Sequence, residues 1–334
     1  MNHKESWSRL GKFAWTAWEL GSRYHYRASY PSLKILLLLT KNMETVRKYL
    51  QIFVAIITNG YTLFPWTKNI YQGPLKTLCS PGLNCYSCPA STTYCPIGAI
   101  QQLLLGIRFS IETGSYYMGS YVFGSIGIIG ALTGRITCGW LCPFGLLQEL
   151  LYKIPSGKKR IIPNQLKYLK YFVLVLFVIA FPLILTDQWG MGKPWFCKFL
   201  CPAGTLEAGI PLIILQPDLR GTLGYLFYNK LFWMLVFLFW STISSRPFCK
   251  TTCPLGAFYG FFNKRSIFQL HLHESNCTDC GACLHVCPMN IQFNRNVNSS
   301  ECIYCLRCMT VACKFNAISI QCAGVPLTRI LKKV

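Results

Sequence analysis

Four stretches of the chain carry little or no charge, and each is long enough to cross a membrane as a helix. They cover residues 46–65, 113–134, 168–186 and 223–245 of the 334 residues. A membrane helix needs ~17–25 mostly apolar residues to span ~30 Å of hydrocarbon. Charged residues make up 13% of the chain, about half of what an ordinary soluble domain contains. The sequence therefore predicts an α-helical membrane protein with four transmembrane helices.

The positive charges cluster between these stretches. The chain has 33 Lys and Arg against 11 Asp and Glu, a balance that would also suit a nucleic-acid partner. Segments 1–48, 135–170 and 246–334 carry 9, 7 and 10 basic residues, whereas segments 66–112 and 187–222 carry 3 each. By the positive-inside rule, this alternation predicts a multi-pass protein of a prokaryotic cytoplasmic membrane with both termini in the cytoplasm. Because no nucleic-acid motif accompanies the charge, we assign it to membrane lipid and expect no nucleic-acid partner.

The N-terminal segment, residues 1–45, is basic and rich in aromatic residues. It lacks the apolar run and small-residue cleavage site of a signal peptide, so we expect it to stay in the cytoplasm. Residues 7–30 suit either an interfacial helix on the cytoplasmic leaflet or a flexible tail. The predicted domains are this segment, a membrane domain over residues 46–265, and a C-terminal domain over residues 266–334.

A cysteine motif recurs through the membrane domain. The sequence Cys-Pro-x-Gly occurs four times, at Cys95, Cys142, Cys201 and Cys253. In the last three copies a second cysteine comes four residues earlier, at Cys138, Cys197 and Cys249. Proline is favoured in the first turn of a helix, so each motif should place a thiolate at a helix N-terminus. The free N–H groups and positive dipole end there suit an anionic metal–thiolate centre.

The spacing of the copies predicts two tandem halves of two spans each. The first and third copies are 106 residues apart and the second and fourth are 111 apart. A pseudo-two-fold axis along the membrane normal would bring the two copies on each face together. The inner face then offers four thiolates, from Cys138, Cys142, Cys249 and Cys253. Such a set suits a [4Fe–4S] cluster or a structural zinc ion, and we favour the cluster because the C-terminal domain carries an iron–sulfur pattern.

The outer face offers a less regular set. The first copy has no cysteine four residues before Cys95, and the nearest is Cys88. By analogy with the inner face, we predict a cluster site formed by Cys88, Cys95, Cys197 and Cys201, in which Cys85 can replace one member. A disulfide among the spare outer cysteines, which include Cys79, is the alternative.

The C-terminal domain contains two iron–sulfur runs. The first matches the bacterial pattern C-x2-C-x2-C-x3-C-P in every position, with Cys277, Cys280, Cys283 and Cys287. The second has one extra residue before its fourth cysteine, with Cys302, Cys305, Cys308 and Cys313. In two-cluster ferredoxins each run lends its fourth cysteine to the other cluster, so we pair Cys313 with the first run and Cys287 with the second. The extra residue is expected to distort the first cluster site. Apolar and polar residues alternate over 267–273 and 317–321, which predicts two strands of a small α+β domain.

A polar residue stands six positions after the motif cysteine in each copy. In the last three copies it is Gln148, Glu207 or Tyr259. These side chains suit a quinone or proton site, although a position on the helix surface is the simpler interpretation.

The segment Gly134-Arg-Ile-Thr-Cys-Gly-Trp-Leu-Cys-Pro-Phe-Gly145, together with the C-terminal iron–sulfur runs, resembles the NapH/MauN-type membrane polyferredoxins. The resemblance extends from about the second span to residue 319. It implies an iron–sulfur electron carrier of the cytoplasmic membrane, associated with quinol oxidation or with electron delivery to extracytoplasmic reductases. Residues 81–89 look like those of a subgroup with additional outer cysteines. The flavin-attachment domain of the larger relatives does not occur in this sequence.

These features predict a transmembrane electron conduit that uses four [4Fe–4S] clusters. Its expected partners are a cytoplasmic ferredoxin or oxidoreductase subunit on one side and a quinone or extracytoplasmic redox protein on the other. The alternatives are a quinol dehydrogenase or quinone reductase subunit, an assembly factor for a metalloenzyme, and a thiol–disulfide relay. We predict no catalytic residue, and the chain has neither a c-type haem motif nor a nucleotide fingerprint.

Overall fold

The computed structural model describes residues 31–59, 78–85, 94–105, 117–157, 159–186 and 192–326. The chain divides into two compact units, Met1–Asn42 and Met43–Val334. Of the first unit, only the beginning of helix α1 is described. Residues 7–30 and Cys88, both singled out in the sequence, lie outside the described residues.

The described chain is mostly helical. The helices that precede the sheet are α1 Pro31–Asn59, α2 Pro96–Leu105, α3 Tyr117–Thr133, α4 Ile136–Trp140, α5 Pro143–Tyr152, α6 Asn164–Ile184, α7 Phe196–Leu200, α8 Pro202–Leu215, α9 Tyr225–Ile243, α10 Pro247–Thr251 and α11 Pro254–Phe262. A 3-10 stretch, Pro217–Thr222, precedes α9. Helix α1 begins 15 residues before the predicted start of the first span at residue 46, because charged residues interrupt its apolar pattern without ending the helix.

Two of these helices, α6 and α9, are long and apolar enough to cross a membrane. Helix α3, over most of the predicted second span, has 17 residues and falls just short in length. The structure therefore has a mostly helical fold with two candidate membrane-spanning helices and a small sheet. Helix α6 contains a π-helical segment at Leu174–Ala180.

Each Cys-Pro-x-Gly motif begins a helix, as its proline predicts. Helices α2, α5, α8 and α11 start at the motif prolines, Pro96, Pro143, Pro202 and Pro254. The preceding cysteine has extended backbone geometry and caps the helix in the last three copies. Proline fits this place because the first N–H of a helix has no partner within the helix. The prediction of thiols at helix N-termini is confirmed.

The C-terminal residues form a three-stranded antiparallel sheet with order β1-β2-β3. Its strands are β1 Phe268–Leu272, β2 Ile318–Cys322 and β3 Val325–Pro326. Leu270 pairs with Ile320 in the register of β1 and β2. Both strands predicted from the alternating pattern are confirmed. Short helical turns α12 Ala282–Val286 and α13 Cys308–Ala312 lie within the two iron–sulfur runs, each just before the fourth cysteine.

One large buried core extends from the motif helices to the second iron–sulfur run. It contains Cys95 and Cys201 of the first and third motifs and Cys142 of the second. Cys302 and Cys305 of the C-terminal domain pack against it. A smaller core under the sheet contains Leu270 and Tyr304. The apolar interior is thus continuous between the parts that the sequence assigns to separate domains.

Candidate metal centres

The second and fourth motif copies bring four thiols together at what we call the inner site. Cys138 and Cys249 lie in α4 and α10, and Cys142 and Cys253 cap α5 and α11. Each of the four is 6–8% exposed. Each also lies within electrostatic range of the other three. The set predicted from the tandem repeat therefore occupies one buried location.

The chemistry of the inner site fits a cubane cluster. Burial, reinforced by Cys249 and Cys138, raises the pKa of Cys142 to about 12, so this sulfur becomes anionic when a metal replaces its proton. Among the described residues, no three His, Cys, Asp or Glu side chains converge closely enough to hold one metal ion. A cubane places its thiolate ligands on four separate irons. The four buried cysteines of the inner site supply that number of thiolates.

The polar residues that follow the motif contact the backbone and sulfurs of the metal sites. Gln148 Nε2 donates to Cys249 Sγ at 3.1 Å, and Gln148 Oε1 accepts from the Phe248 N–H at 3.1 Å. Glu207 accepts a hydrogen bond from the Cys85 N–H at 2.6 Å. Both side chains are buried, as is Tyr259. A position on the helix surface, the simpler interpretation of the sequence, is therefore wrong for all three.

The first and third motif copies line a cavity of about 260 Å³, here named the outer cavity. Its cysteines are Cys85, Cys95, Cys197 and Cys201. The volume is several times the ~30 Å³ share of one water molecule, so a group of several atoms fits. Lys198 and Lys230 also line the cavity and would offset the charge of an anionic cluster. Cys85, the predicted substitute, lines this cavity, whereas the predicted ligand Cys88 lies outside the described residues. No described cysteine forms a disulfide.

A buried segment of irregular backbone, residues 78–85, joins the outer cavity to the inner site. Leu83 lines the outer cavity, and its carbonyl oxygen is 4.0 Å from Cys142 Sγ. A Cβ atom on Gly82 would lie 2.9 Å from Cys142 Cα, so only glycine allows this approach. The Tyr259 hydroxyl donates to the Pro81 carbonyl at 3.1 Å. Leu83 is thus the residue of this segment that lies between the two sites.

The two iron–sulfur runs of the C-terminal domain form two cavities. Cys277, Cys280 and Cys283 line the first with Cys313. Cys302, Cys305 and Cys308 line the second with Cys287. In each cavity the fourth cysteine comes from the other run. Cys283 lines both cavities, so the two are adjacent.

Both runs have the same backbone pattern around their cysteines. Asp279 and Gly281 flank Cys280 with positive φ, and Tyr304 and Leu306 flank Cys305 in the same way. Such alternation of left- and right-handed residues points successive N–H groups toward an anion. The backbone N–H of Ile291 donates to Cys287 Sγ at 3.4 Å. Four residues after Cys313, the Ala317 N–H makes the matching bond to its Sγ at 3.3 Å.

The extra residue in the second run is absorbed by a π-helical turn. Helix α13, which begins at Cys308, is π-helical, and the Cys313 N–H bonds to the Cys308 carbonyl at 3.0 Å. Helix α12 in the first run is an ordinary α-helical turn. A π-turn accommodates one inserted residue without displacing the residues after the turn. The expected distortion is therefore taken up within α13, and Cys313 lines the first cavity beside Cys277.

Charged residues that the sequence did not single out surround the inner site. Glu149 accepts hydrogen bonds from Arg47 and from Arg246, at 2.5 and 2.9 Å. Glu301, next to Cys302, pairs with Arg135 at 3.3 Å and with Lys170. Burial alone would raise the pKa of Glu149, but Arg246, Arg47 and Arg307 hold it at about 2. Isolated charges give no periodic signal in a sequence, which is why these pairs were not predicted.

Comparisons with known proteins support the iron–sulfur assignment. A family described as "4Fe-4S binding domain" matches residues 117–162 and 170–210. A second, described as "4Fe-4S dicluster domain", matches residues 247–291. Together these matches include three of the four Cys-Pro motifs and the first iron–sulfur run. No solved structure matches the chain.

Several curated proteins are similar to the chain over much of its length. Two uncharacterized proteins of Methanocaldococcus jannaschii, MJ0750 and MJ0749, are 34% and 31% identical to it. The alignments cover 59% and 66% of this chain, and 76% and 85% of those proteins. The methylamine utilization ferredoxin-type protein MauN of Methylorubrum extorquens is 25% identical, over 58% of this chain and 59% of MauN.

Proposed function

Because the chain belongs to the polyferredoxin-type [4Fe–4S] proteins, we propose that it carries electrons across a prokaryotic cytoplasmic membrane. It is an iron–sulfur electron-transfer protein of the ferredoxin type. The proposed conduit has four [4Fe–4S] clusters, two in the C-terminal domain, one at the inner site and one in the outer cavity. The proposed outer ligands are Cys85, Cys95, Cys197 and Cys201.

The continuity of the four cysteine groups is the observation that carries this proposal. Leu83 lies between the outer cavity and Cys142 of the inner site. A Cβ atom on Gly139, between the two inner cysteines of α4 and α5, would lie 2.3 Å from the Ile303 carbonyl oxygen. Ile303 lies between Cys302 and Cys305 of the C-terminal domain. The outer, inner and second-run groups thus approach one another through single residues, and the two C-terminal cavities share Cys283.

This arrangement suits electron transfer over a membrane thickness. Tunnelling decays steeply with distance, so one centre cannot serve ~30 Å of hydrocarbon, whereas several closely spaced centres can. A [4Fe–4S] cluster, when bound, takes up and releases one electron. The apolar residues around the thiols exclude water, and the helix N-termini and buried cations favour the anionic centres.

The proposed topology places four spans in the membrane with the C-terminal domain in the cytoplasm. Helices α6 and α9 are the candidate spans by length and hydropathy, and we propose that α1 and α3 supply the others within two tandem halves. The outer cavity then opens on the extracytoplasmic side, toward a quinone or a redox protein. Cys280 is the exposed cysteine of the first iron–sulfur run, and we propose that a cytoplasmic ferredoxin or oxidoreductase subunit docks there.

The test counts iron and acid-labile sulfide in protein purified without oxygen in detergent. At about four irons per cubane, the native chain should hold about sixteen. Replacing Cys138, Cys142, Cys249 and Cys253 by serine should leave about twelve, and so should the same change at Cys85, Cys95, Cys197 and Cys201. Cys322→Ser is the matched control, because Cys322 lies in β2 and lines none of the four sites.

Transport is measured in proteoliposomes that enclose a membrane-impermeant electron acceptor, with dithionite outside. The native chain and Cys322→Ser should reduce the acceptor, and both four-serine variants should not. About eight irons in every variant would contradict the proposal and leave a two-cluster ferredoxin on a membrane anchor. Full iron content without transfer to the enclosed acceptor would contradict the conduit and favour a role in metalloenzyme assembly.

A further inference from the structure

Arg246 extends from the fourth motif copy to the second. It precedes Cys249 by three residues and is fully buried, with 0% exposure. Its Nη1 donates to the Cys138 carbonyl at 2.7 Å, and its Nε donates to Glu149 at 2.9 Å. The guanidinium therefore contacts the first inner cysteine of the other motif copy, 108 residues away.

Arg135 makes the reciprocal contact. It precedes Cys138 by three residues and is also fully buried. Its Nη2 donates to the Cys249 carbonyl at 3.4 Å, and its Nη1 donates to the Ser300 carbonyl at 2.8 Å. The two arginines thus cross between the motif copies, each holding the backbone of the cysteine in the other.

The motif glycines make room for this crossing. A Cβ atom on Gly145 would lie 3.1 Å from Arg246 Nη1, and one on Gly256 would lie 2.8 Å from Arg135 Nη2. Both glycines occupy the fourth position of Cys-Pro-x-Gly, in the second and fourth copies. The glycine of the motif therefore has a physical role, which is to admit the guanidinium of the other copy.

The charges around the inner site leave positive charge unpaired. Five cations that are at most a quarter exposed form ion pairs there with three carboxylates, Glu44, Glu149 and Glu301; the cations are Arg47, Arg135, Lys170, Arg246 and Arg307. Lys48, which is 30% exposed, also pairs with Glu44, and the fully buried Lys250 beside Cys249 donates to the neutral side chain of Asn290. The cations therefore exceed the carboxylates by at least two, which is costly in a buried site without an anion. Arg135 Nε is buried and has no acceptor among the described side chains and backbone. An oxidised cubane with four thiolates carries about −2 and would supply the missing charge.

We propose that Arg135 and Arg246 are positioning residues for the inner cluster, which lock the two motif copies together and raise the cluster's reduction potential. The proposal rests on the inner ligand set given under Proposed function. Reduction adds negative charge to the cluster, so nearby cations favour the reduced form. Removal of either cation should therefore lower the potential.

The test is a redox titration of the full-length protein, followed by electron paramagnetic resonance. The variants are Arg246→Met, Arg135→Met and Arg246→Lys, with Arg160→Met as the matched control because Arg160 is exposed. The cluster held by Cys277, Cys280, Cys283 and Cys313, whose cavity neither arginine lines, serves as the internal reference for folding in every sample. In both methionine variants, the reduced-to-oxidised ratio of the inner cluster at a fixed potential should fall at least tenfold. This corresponds to a reduction potential lower by at least 59 mV for one electron. In Arg246→Lys, which keeps the positive charge, this ratio should fall less.

Three outcomes decide the proposal. Loss of about four irons from Arg246→Met, with recovery in Arg246→Lys and none lost from Arg160→Met, would also support a positioning role. An inner cluster with unchanged potential and full iron content in both methionine variants would overturn it. Absence of any inner-cluster signal from the native protein would instead overturn the proposed function, so the two failures are distinguishable.

Discussion

At the scale of single residues, the motif glycines Gly145 and Gly256 differ sharply from Gly124 and Gly127 of helix α3. Adding a Cβ at Gly256 requires Arg135 to move, whereas nothing lies within 4 Å of a Cβ at Gly127. We predict that Gly256→Ala destabilises the protein by about 1–3 kcal/mol, the usual cost of overpacking a buried site. Gly127→Ala should be neutral or stabilising, since alanine favours a helix over glycine by up to ~1 kcal/mol. Equal thermal unfolding midpoints for the two variants would contradict this.

A second residue-scale prediction concerns Glu149, whose pKa the surrounding arginines hold at about 2 despite its burial. An unfolded glutamate has a pKa of ~4.3, so the ionised form stabilises the fold at every pH above ~4.3. This contribution is lost as pH falls from ~4.3 toward 2. Glu149→Gln should therefore lower stability by about 3–5 kcal/mol, the typical cost of breaking a buried ion pair.

The measurement for Glu149 is the difference in thermal unfolding midpoint between the native chain and Glu149→Gln. That difference should stay constant between about pH 8 and about pH 5 and narrow below ~4.3. Glu274→Gln is the control, since Glu274 is exposed. A difference that grows as the solution becomes more acidic would refute the assigned ion pairs.

The residue scale also shows what a sequence can and cannot provide. Cysteine ligand sets are visible because their spacing is local and fixed by the geometry of the centre. The contact of Arg246 with Cys138 spans 108 residues and leaves no local pattern. Similarly, the burial of Gln148 depends on the approach of α10, so its contact with Cys249 could not be predicted from its position in α5.

At the scale of elements, the segment 78–85 is the least expected part of the structure. Proline, glycine and asparagine favour an exposed loop, yet Leu83 is 2% exposed and Asn84 is fully buried. Irregular backbone is tolerated at membrane depth when protein surrounds it. By contrast, the Cys-Pro helix starts and the two strands were predictable, because proline geometry and alternating hydrophobicity are local properties.

The segment yields an element-scale prediction. Leu83→Ala removes a buried side chain between the outer cavity and Cys142 and should cost about 2–5 kcal/mol of stability. Leu78→Ala is the matched control at the start of the same segment, because Leu78 is 59% exposed and such a change usually costs less than ~0.5 kcal/mol. Denaturant unfolding of the holoprotein compares the two. A similar cost for both would mean that the segment does not pack as described.

At the scale of the whole molecule, the membrane domain and the C-terminal domain are coupled by charge as well as by packing. Glu301 belongs to the second iron–sulfur run but pairs with Arg135 of the inner site. Arg307 of the same run pairs with Glu149 at 3.2 Å. Two ion-pair groups therefore attach the C-terminal domain to the two halves of the inner site. Domain boundaries drawn from composition alone do not register this attachment, because it depends on contacts between distant segments.

The orientation of the whole molecule in the membrane can be tested independently of its clusters. Segments 135–170 and 246–334 carry 7 and 10 basic residues, against 3 in segment 187–222, and the positive-inside rule predicts that the basic segments stay in the cytoplasm. Alkaline phosphatase fused after residue 222 should be active, because the enzyme folds only outside the cytoplasm, whereas green fluorescent protein fused after residue 265 should fluoresce. The reverse pattern would place the C-terminal domain outside. The outer cavity would then open toward the cytoplasm, and the proposed donor at the C-terminal domain would have to be an extracytoplasmic protein.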